Sequence, residues 1–291
     1  MPLTLADQTL ALAREAISEI TADLEASAPG LLESFPIAHC IDAWDAIEEI
    51  FGYRHIPEAV LRTEELALEQ FGPGPFNRFN KLVMAHLILQ ARDRSKSLEW
   101  PHSVSELHQS ALARIAASLT TRSDAAFDLR NDMYAKDLGI CRLKLVACGA
   151  ELIDRCSGVP RSSLFRGGPR QLASGSWFFA TRARGFRNFY ESHWDRRLIR
   201  DFNPTGYDMF YERIAEMMLA DPKTRGVYSS SWWYDPALDE VAPELSYLRA
   251  DPQRHGAFLL RIGKDPEATR DALHLSPTRQ ALYAVSYTHL T

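Results

Sequence analysis

The sequence predicts an α+β protein, in which a helical N-terminal region packs on a mixed β-sheet with flanking helices. Apolar residues recur at helical spacing through the first 138 of the 291 residues. From Cys141 the apolar period changes to two, and from Phe186 predicted strands alternate with predicted helices. We therefore divide the chain into a helical region (1–138), an α/β region (139–284) and a short C-terminal tail (285–291).

The helices of the first region are marked by their ends. Proline at position 57 suits a first helical turn, and the Gly72-Pro73-Gly74-Pro75 run marks a turn before the next helix. Ser103 followed by Glu106 matches the capping-box pattern and predicts a helix start at Ser103. The predicted helices cover residues 3–24, 41–51, 57–70 and 76–92, and two more run from 103 to about 138.

The second region begins with a predicted hairpin. Leu143, Leu145 and Ala147 alternate with other side chains, and Gly149-Ala150 turns the chain into a second arm at 151–154. A loop is expected at 157–170. Further strands are predicted at 186–194, 225–232 and 257–262, and helices at 203–218, 235–248, 265–272 and 276–283.

Composition and charge narrow the choice of partners. A net charge of −5 and a pI near 6.0 argue against nucleic acid, because binding phosphates requires clustered cations. Ten arginines lie between Arg155 and Arg200 against the acids Glu191 and Asp195, which favours a phosphorylated small molecule or an anionic cofactor. Equally, these arginines could form a solvated basic face.

The sequence shows no targeting signal, and we therefore expect a cytoplasmic protein. No stretch resembles a signal peptide or reaches membrane-spanning length. The four cysteines show neither a CxxC pair nor metal-ligand spacing, so we expect reduced, buried thiols. The tail from Val285 to Thr291 resembles translated sequencing-adapter read-through, and we expect the native sequence to diverge after Ala284.

Three titratable residues alternate at the end of the strand predicted at 186–194. Glu191, His193 and Asp195 would share one face of a regular strand. They could supply a general base with an orienting carboxylate, or the ligands of a metal ion. Alternatively, they form a polar strand end that pairs with Arg196 and Arg197.

Two further groups complete the candidate site. Arg196, Arg197 and Arg200 precede the helix start at Asn203, where free amides favour an anion. Tyr247, at the end of the next predicted helix, could protonate a leaving group. A hydroxyl and aromatic run suits a pocket wall, with candidate substrate contacts at Ser231, Trp233, Tyr234 and Asp235.

The order hairpin, strand with Glu191, helix, strand, helix with Tyr247 and strand resembles the core of the acyl-CoA N-acyltransferase (GNAT-like) fold. The resemblance implies that Glu191 is the base and that Tyr247 is the acid. It also implies that Arg197, with the amides near Gly206, holds the pyrophosphate of an acyl-CoA donor. Residues 200–206 lack the glycine pair of that family's [R/Q]-x-x-G-x-[G/A] loop.

Short C-terminal segments also look like those of an uncharacterised group of bacterial proteins, namely Trp233 to Leu238 and Ser276 to Arg279. The resemblance to the acyltransferase fold implies an acyltransferase-like enzyme that acts on a small molecule, and we expect no metal. One alternative is a metal-dependent hydrolase or oxygenase that uses Glu191, His193 and Asp195. A second is a non-catalytic small-molecule-binding protein. The sequence leaves the oligomeric state open.

Overall fold

The N-terminal half of the chain is helical, as predicted. The protein is described here by a computed structural model, which covers residues 5–47, 51–236, 238–263, 276–278 and 281. The helices of this half are α1 (Asp7–Ser27), α2 (Leu31–Ser34), α3 (Ile37–Asp45), α4 (Glu58–Phe71), α5 (Pro73–Arg94), α6 (His102–Thr121) and α7 (Asp132–Cys141).

Helix α5 lies at the centre of this half. Phe79, Leu82, Met84 and Ile88 are each at most 1% exposed although they point to different sides of the helix. A helix that is apolar on all sides must be covered on all sides. Helices α1, α4, α6 and α7 accordingly all pack against α5.

The sheet has four strands in the described chain, in the spatial order β1-β2-β3-β4. Strands β1 (Leu145–Ala147), β2 (Leu152–Gly158) and β3 (Arg187–His193) are antiparallel neighbours. Strand β4 (Gly226–Ser229) pairs parallel to β3, and α10 (Pro204–Ala220) makes the crossover that a parallel pair requires. The predicted hairpin and the mixed sheet of an α+β fold are confirmed.

The register assigns side chains to the two faces of the sheet. Directly paired residues share a face, so Asp154, Glu191 and Tyr228 lie together on what we call the Glu191 face. The opposite Ser192 face carries Ile153 and Ser192. Helix α9 (Gly168–Thr181) packs on the Glu191 face and α10 packs on the Ser192 face.

The loop predicted at 157–170 was wrong in its second half. This segment forms α8 (Ser163–Arg166) and the beginning of α9. Local propensity is low because of its glycines, and tertiary packing stabilises the helices instead. Leu164 and Phe179 form a small second core with Phe189 of β3. Gly175 allows the two helices to approach, since an added Cβ would lie 2.5 Å from Leu164 Cδ2.

The strand predicted at 257–262 is also wrong, because the described residues there form no strand. The Gln171 side chain forms hydrogen bonds with the backbone N–H and carbonyl of Arg261, which would otherwise be free to pair with a neighbouring strand. Its Nε2 donates to Arg261 O at 3.0 Å and its Oε1 accepts from Arg261 N at 2.8 Å. Phe258 stacks on Phe178 of α9, with 4.7 Å between ring centroids. The segment is therefore bound to α9 and not to the sheet.

The single helix predicted at 235–248 is instead three short pieces. They are α11 (Leu238–Val241), a 3₁₀ turn (Pro243–Leu245) and α12 (Tyr247–Arg254). Pro243 breaks the helix because its ring lacks an N–H and clashes with the preceding turn. The helix predicted at 265–272, half of that at 276–283 and the tail lie outside the described residues.

One continuous hydrophobic core runs from Leu5 in the first half to Leu248 in the second. The predicted region boundary at residue 138 falls inside α7. Cys40, Cys141 and Cys148 are buried and free, as expected. Within the described residues, no helix combines the length and the apolar character that a bilayer crossing requires.

Candidate functional site

Glu191 and His193 lie side by side on the Glu191 face, as the period of the strand predicted. Ser157 Oγ donates to Glu191 Oε2 at 2.9 Å. His193 Nε2 is 3.9 Å from the same oxygen, which is too long for a hydrogen bond. The imidazole instead packs edge-on against Tyr53, with 4.7 Å between ring centroids. The two residues are neighbours, but they are not joined as a base and its orienting group.

His193 is held in its neutral form. Burial, together with the positive charges of Arg54 and Lys136, lowers the pKa of the imidazole to about 3. Its Nε2 is buried without a hydrogen-bond partner. A histidine with so low a pKa is a weak base at neutral pH.

Asp154, on the same face, is a fully buried carboxylate with a cationic partner. Its exposed fraction is 0%. Lys144 Nζ lies 2.8 Å from Oδ1, and the backbone N–H of Tyr53 donates to Oδ2 at 2.9 Å. The charge that this carboxylate brings into the protein is therefore compensated locally.

Asp195 does not join Glu191 and His193. Its carboxylate caps the following 3₁₀ turn (Arg196–Asp201) and accepts from the backbone N–H of Arg197 at 2.9 Å. The Arg197 side chain also binds it, and then reaches Asp137 Oδ1 of α7 at 2.6 Å. Burial opposes ionisation of Asp195, but the bonds from Arg197 hold its pKa below the ordinary value.

Asp137 is the centre of this ion-pair network. It is 1% exposed and also pairs with Arg114 at 2.8 Å and with Arg122 at 3.4 Å, both on or next to α6. The network connects α6, α7 and the end of β3. We therefore assign Asp195 and Arg197 to holding these elements together, which is the alternative role that the sequence had left open for Asp195.

The predicted phosphate site is only partly available. Arg197 is committed to Asp195 and Asp137. The Gly206 N–H donates to Asn203 Oδ1 at 3.0 Å, so the start of α10 is capped by its own chain. A Cβ at Gly206 would collide with the Asp201 carbonyl, which is why glycine stands there. Arg196 and Arg200 are exposed and form no ion pair within the described chain.

A different carboxylate, Glu151, lies on the Ser192 face at the start of β2. It is 1% exposed and accepts from the Tyr207 hydroxyl at 2.6 Å. Ser192 bonds it as well. No described cation lies within ion-pair distance of it. Burial raises the pKa of Glu151 above its ordinary value, and the two hydroxyl bonds oppose that rise only in part.

Tyr247 belongs with Glu151 and not with Glu191. Its ring lies 5.8 Å from that of Tyr207, centroid to centroid. Its hydroxyl is buried without a hydrogen-bond partner. Burial, together with the negative charge of the Glu151 carboxylate, raises the pKa of Tyr247 to about 12. The predicted base Glu191 and the predicted acid Tyr247 thus stand on opposite faces of the sheet.

The predicted pocket residues follow β4, and only some of them lie near Glu151. Trp233 is 7% exposed and packs on Phe202, with 5.4 Å between ring centroids. Tyr234 feels the charge of Glu151, which together with burial raises its pKa above the ordinary value. Ser231 is half-buried, and Asp235 is exposed. Trp233 and Tyr234 therefore border the Glu151 cluster, whereas Asp235 faces solvent.

Sequence reasoning missed Glu151 and Tyr207. The available signal was an acid inside the otherwise apolar run from Leu145 to Ile153. Glu151, Ser192, Tyr207, Tyr234 and Tyr247, which we call the Glu151 cluster, make a hydroxyl-rich site around one buried carboxyl group. The fold and this cluster define an α+β protein with a polar site between the sheet and α10. No protein-family model, curated protein or solved structure matches the chain.

Proposed function

We propose that this protein is an acyltransferase-like enzyme that acts on a small molecule with an acyl-CoA-type donor, and that its reaction centre is the Glu151 cluster. The observation that carries the proposal is the buried Glu151 carboxyl group, which is bonded by hydroxyls and has no cation beside it in the described chain. Such an arrangement is costly for stability and suits a general base, because a raised pKa brings a carboxyl group closer to neutral pH.

Part of the element order supports the proposal. A hairpin, a third strand, α10 and a strand parallel to the third follow the order that the acyltransferase resemblance implies. In this protein α8 and α9 precede the third strand, and the last strand of that order is not formed in the described residues. Strands β3 and β4 are paired only as far as Ser192 and Ser229, and beyond them the chains enter separate 3₁₀ turns. Ligands of sheets with parallel strands bind outside the carboxyl ends of those strands. The Glu151 cluster borders this end.

The chemistry can be assigned to two groups. An acceptor amine would attack the thioester carbonyl carbon, so that a C–N bond forms and the C–S bond breaks. Glu151 would take the proton that the amine loses, and Tyr247 would give its proton to the leaving thiolate. A tyrosine with a pKa of about 12 stays protonated at neutral pH and is available to donate.

Part of the predicted donor site fits an acyl-CoA. Arg196 and Arg200 offer exposed guanidinium groups beside the start of α10, which suit phosphate oxygens. Arg197 and Gly206 do not fit that role, because both are already bonded within the protein. The proposal therefore assigns donor phosphates to Arg196 and Arg200 alone.

The test is thiol release from acetyl-CoA and from longer acyl-CoAs in the presence of simple primary amines. We expect wild-type turnover, a loss of about 100-fold or more in Glu151→Gln, and activity within a few-fold of wild type in Glu191→Gln. Arg196→Gln should raise KM for the donor more than it lowers kcat. A loss confined to Glu191→Gln would overturn the assignment to Glu151. Binding of acyl-CoA without turnover would favour the non-catalytic small-molecule-binding protein.

A second candidate, the metal-dependent hydrolase or oxygenase, is favoured by one observation. His193 Nε2 has no hydrogen-bond partner and lies 3.9 Å from Glu191 Oε2, so both atoms could reach one ion. Asp195 would not be the third ligand, since Arg197 holds it. A thermal shift with Zn²⁺ or Fe²⁺ that His193→Gln abolishes, together with no response to acyl-CoA, would support this candidate.

A further inference from the structure

A cleft of about 400 Å³ opens away from the Glu151 cluster, where the end of α3 and the segment before α4 meet the start of the hairpin. Its volume falls within the range of small-molecule sites. Four basic residues line it, namely Arg94, Arg142, Lys144 and Arg155. Asp45 is the acidic residue among the described lining residues.

Two of these four cations are already neutralised. Arg94 forms a bidentate pair with Asp45, with N–O distances of 2.7 and 2.5 Å. Lys144 pairs with the buried Asp154 at 2.8 Å. These pairs leave the wall of the cleft polar but add no net charge.

The other two cations have no acidic partner. Within the described chain, neither Arg142 nor Arg155 lies within ion-pair distance of a carboxylate. Arg142 stacks on the Trp44 ring at 4.6 Å and donates to the Trp44 carbonyl at 2.8 Å, while its Nε is buried without a partner. Burial lowers the pKa of Arg142 to about 10. Arg142 and Arg155 both line the cleft and neither forms an ion pair within the described chain, which favours an anion there.

The remainder of the lining is apolar and aromatic. Phe51 is 41% exposed at the rim and stacks on His55, with 4.3 Å between ring centroids. The other apolar lining residues are Trp44, Ile47, Leu98 and Leu143. Trp44 and Leu143 are buried, whereas Phe51, Ile47 and Leu98 are in part exposed to water. An organic anion would cover this exposed part, and an inorganic ion would not.

We propose that this cleft binds a small phosphate monoester whose apolar or aromatic body lies on Ile47 and Phe51 and whose phosphate contacts Arg142 and Arg155. A phosphate dianion matches two guanidinium charges, and planar guanidinium groups bind phosphate in a bidentate manner. The cleft and the Glu151 cluster share no residue, so this inference is independent of the proposed acyltransferase activity.

The experiment is a calorimetric titration of the full chain with phenyl phosphate, with inorganic phosphate and with benzyl alcohol as a neutral analogue. Phenyl phosphate should bind at least tenfold more tightly than either of the others. Arg155→Gln should weaken phenyl phosphate binding about tenfold or more. Arg170→Gln, which removes an exposed charge on α9 outside the cleft, should bind as wild type does.

Arg142→Gln provides a second variant, and its fold is checked by circular dichroism because Arg142 also packs on Trp44. We expect its loss of affinity to match or exceed that of Arg155→Gln. The proposal is overturned if wild type does not bind phenyl phosphate at millimolar concentration, if benzyl alcohol binds equally well, or if Arg155→Gln and Arg170→Gln behave alike.

Discussion

Asp154 and Glu151 lie three residues apart in one arm of the hairpin, and both are at most 1% exposed, yet their surroundings differ. Asp154 points to the Glu191 face and is bound by the Lys144 ammonium and a backbone N–H. Glu151 points to the Ser192 face and is bound by neutral hydroxyls. The first carboxylate is charge-compensated, and the second is buried at a cost that no described cation offsets.

This difference in partners distinguishes carboxylates that stabilise the fold from a carboxylate that is available for catalysis. On the Glu191 face the buried Asp154 is paired with Lys144, and the buried Asp137 is likewise paired with arginines. Such pairs destabilise strongly when one partner is removed. On the Ser192 face, the cost of burying Glu151 is the kind of local instability that functional sites retain. The predictions below test the two halves of this comparison.

The largest effect is expected at the centre of the compensated network. Asp137→Ala would leave Arg114, Arg122 and Arg197 facing one another without the carboxylate that binds all three. We expect the free energy of unfolding to fall by about 3–5 kcal/mol. Urea denaturation measures it. The exposed Asp23, which pairs with Arg78 at 2.5 Å, is the control, and Asp23→Asn should cost less than about 1 kcal/mol because Arg78 keeps its second partner, Asp124. Equal losses in the two variants would contradict this interpretation.

A smaller loss in the free energy of unfolding is expected at acidic pH. Burial holds the pKa of His193 at about 3, below its value in the unfolded chain, so unfolding takes up a proton between those two values. The stability that His193 contributes is therefore complete above pH 6.5 and is lost as the pH falls toward 3. Between pH 7 and 5 we expect a loss of about 2 kcal/mol from this group.

His193→Gln should remove that part of the pH dependence, measured by urea denaturation at pH 7, 6 and 5. The fully buried His108, whose pKa burial also lowers to about 3, contributes a similar slope that His193→Gln should leave intact. The exposed His102→Gln serves as the control. An unchanged slope in His193→Gln would show that this imidazole is not buried in its neutral form.

Much of the fold was predictable from local signals. Asn203 followed by Pro204 predicted the start of α10, and the structure shows the Asn203 side chain capping Gly206 N at 3.0 Å. The predictions failed where the local structure depends on contacts with residues that are distant in the sequence. The glycine-rich start of α9 is helical because Phe179 packs on β3, and residues 257–262 lie along α9 because Gln171 bonds Arg261.

The candidate site was harder to predict. Alternation placed Glu191 and His193 on one face, as the structure has them. It gave no information on which helix covers that face, so the separation of Tyr247 from Glu191 could not be foreseen. Glu151 depends on Tyr207, which lies 56 residues further along the chain. The local sequence pattern cannot predict a contact between residues so far apart in the chain.

The most direct test of the comparison is the free energy of unfolding of Glu151→Gln and Asp154→Asn, measured side by side at pH 8. Burial raises the pKa of Glu151, so its ionised form costs stability as the pH rises, and the neutral amide removes that cost. We predict that Glu151→Gln is as stable as wild type or more stable, while Asp154→Asn loses about 3 kcal/mol because Lys144 stays buried without its carboxylate. Equal destabilisation by both substitutions would contradict the account, because it would make Glu151 a structural carboxylate like Asp154.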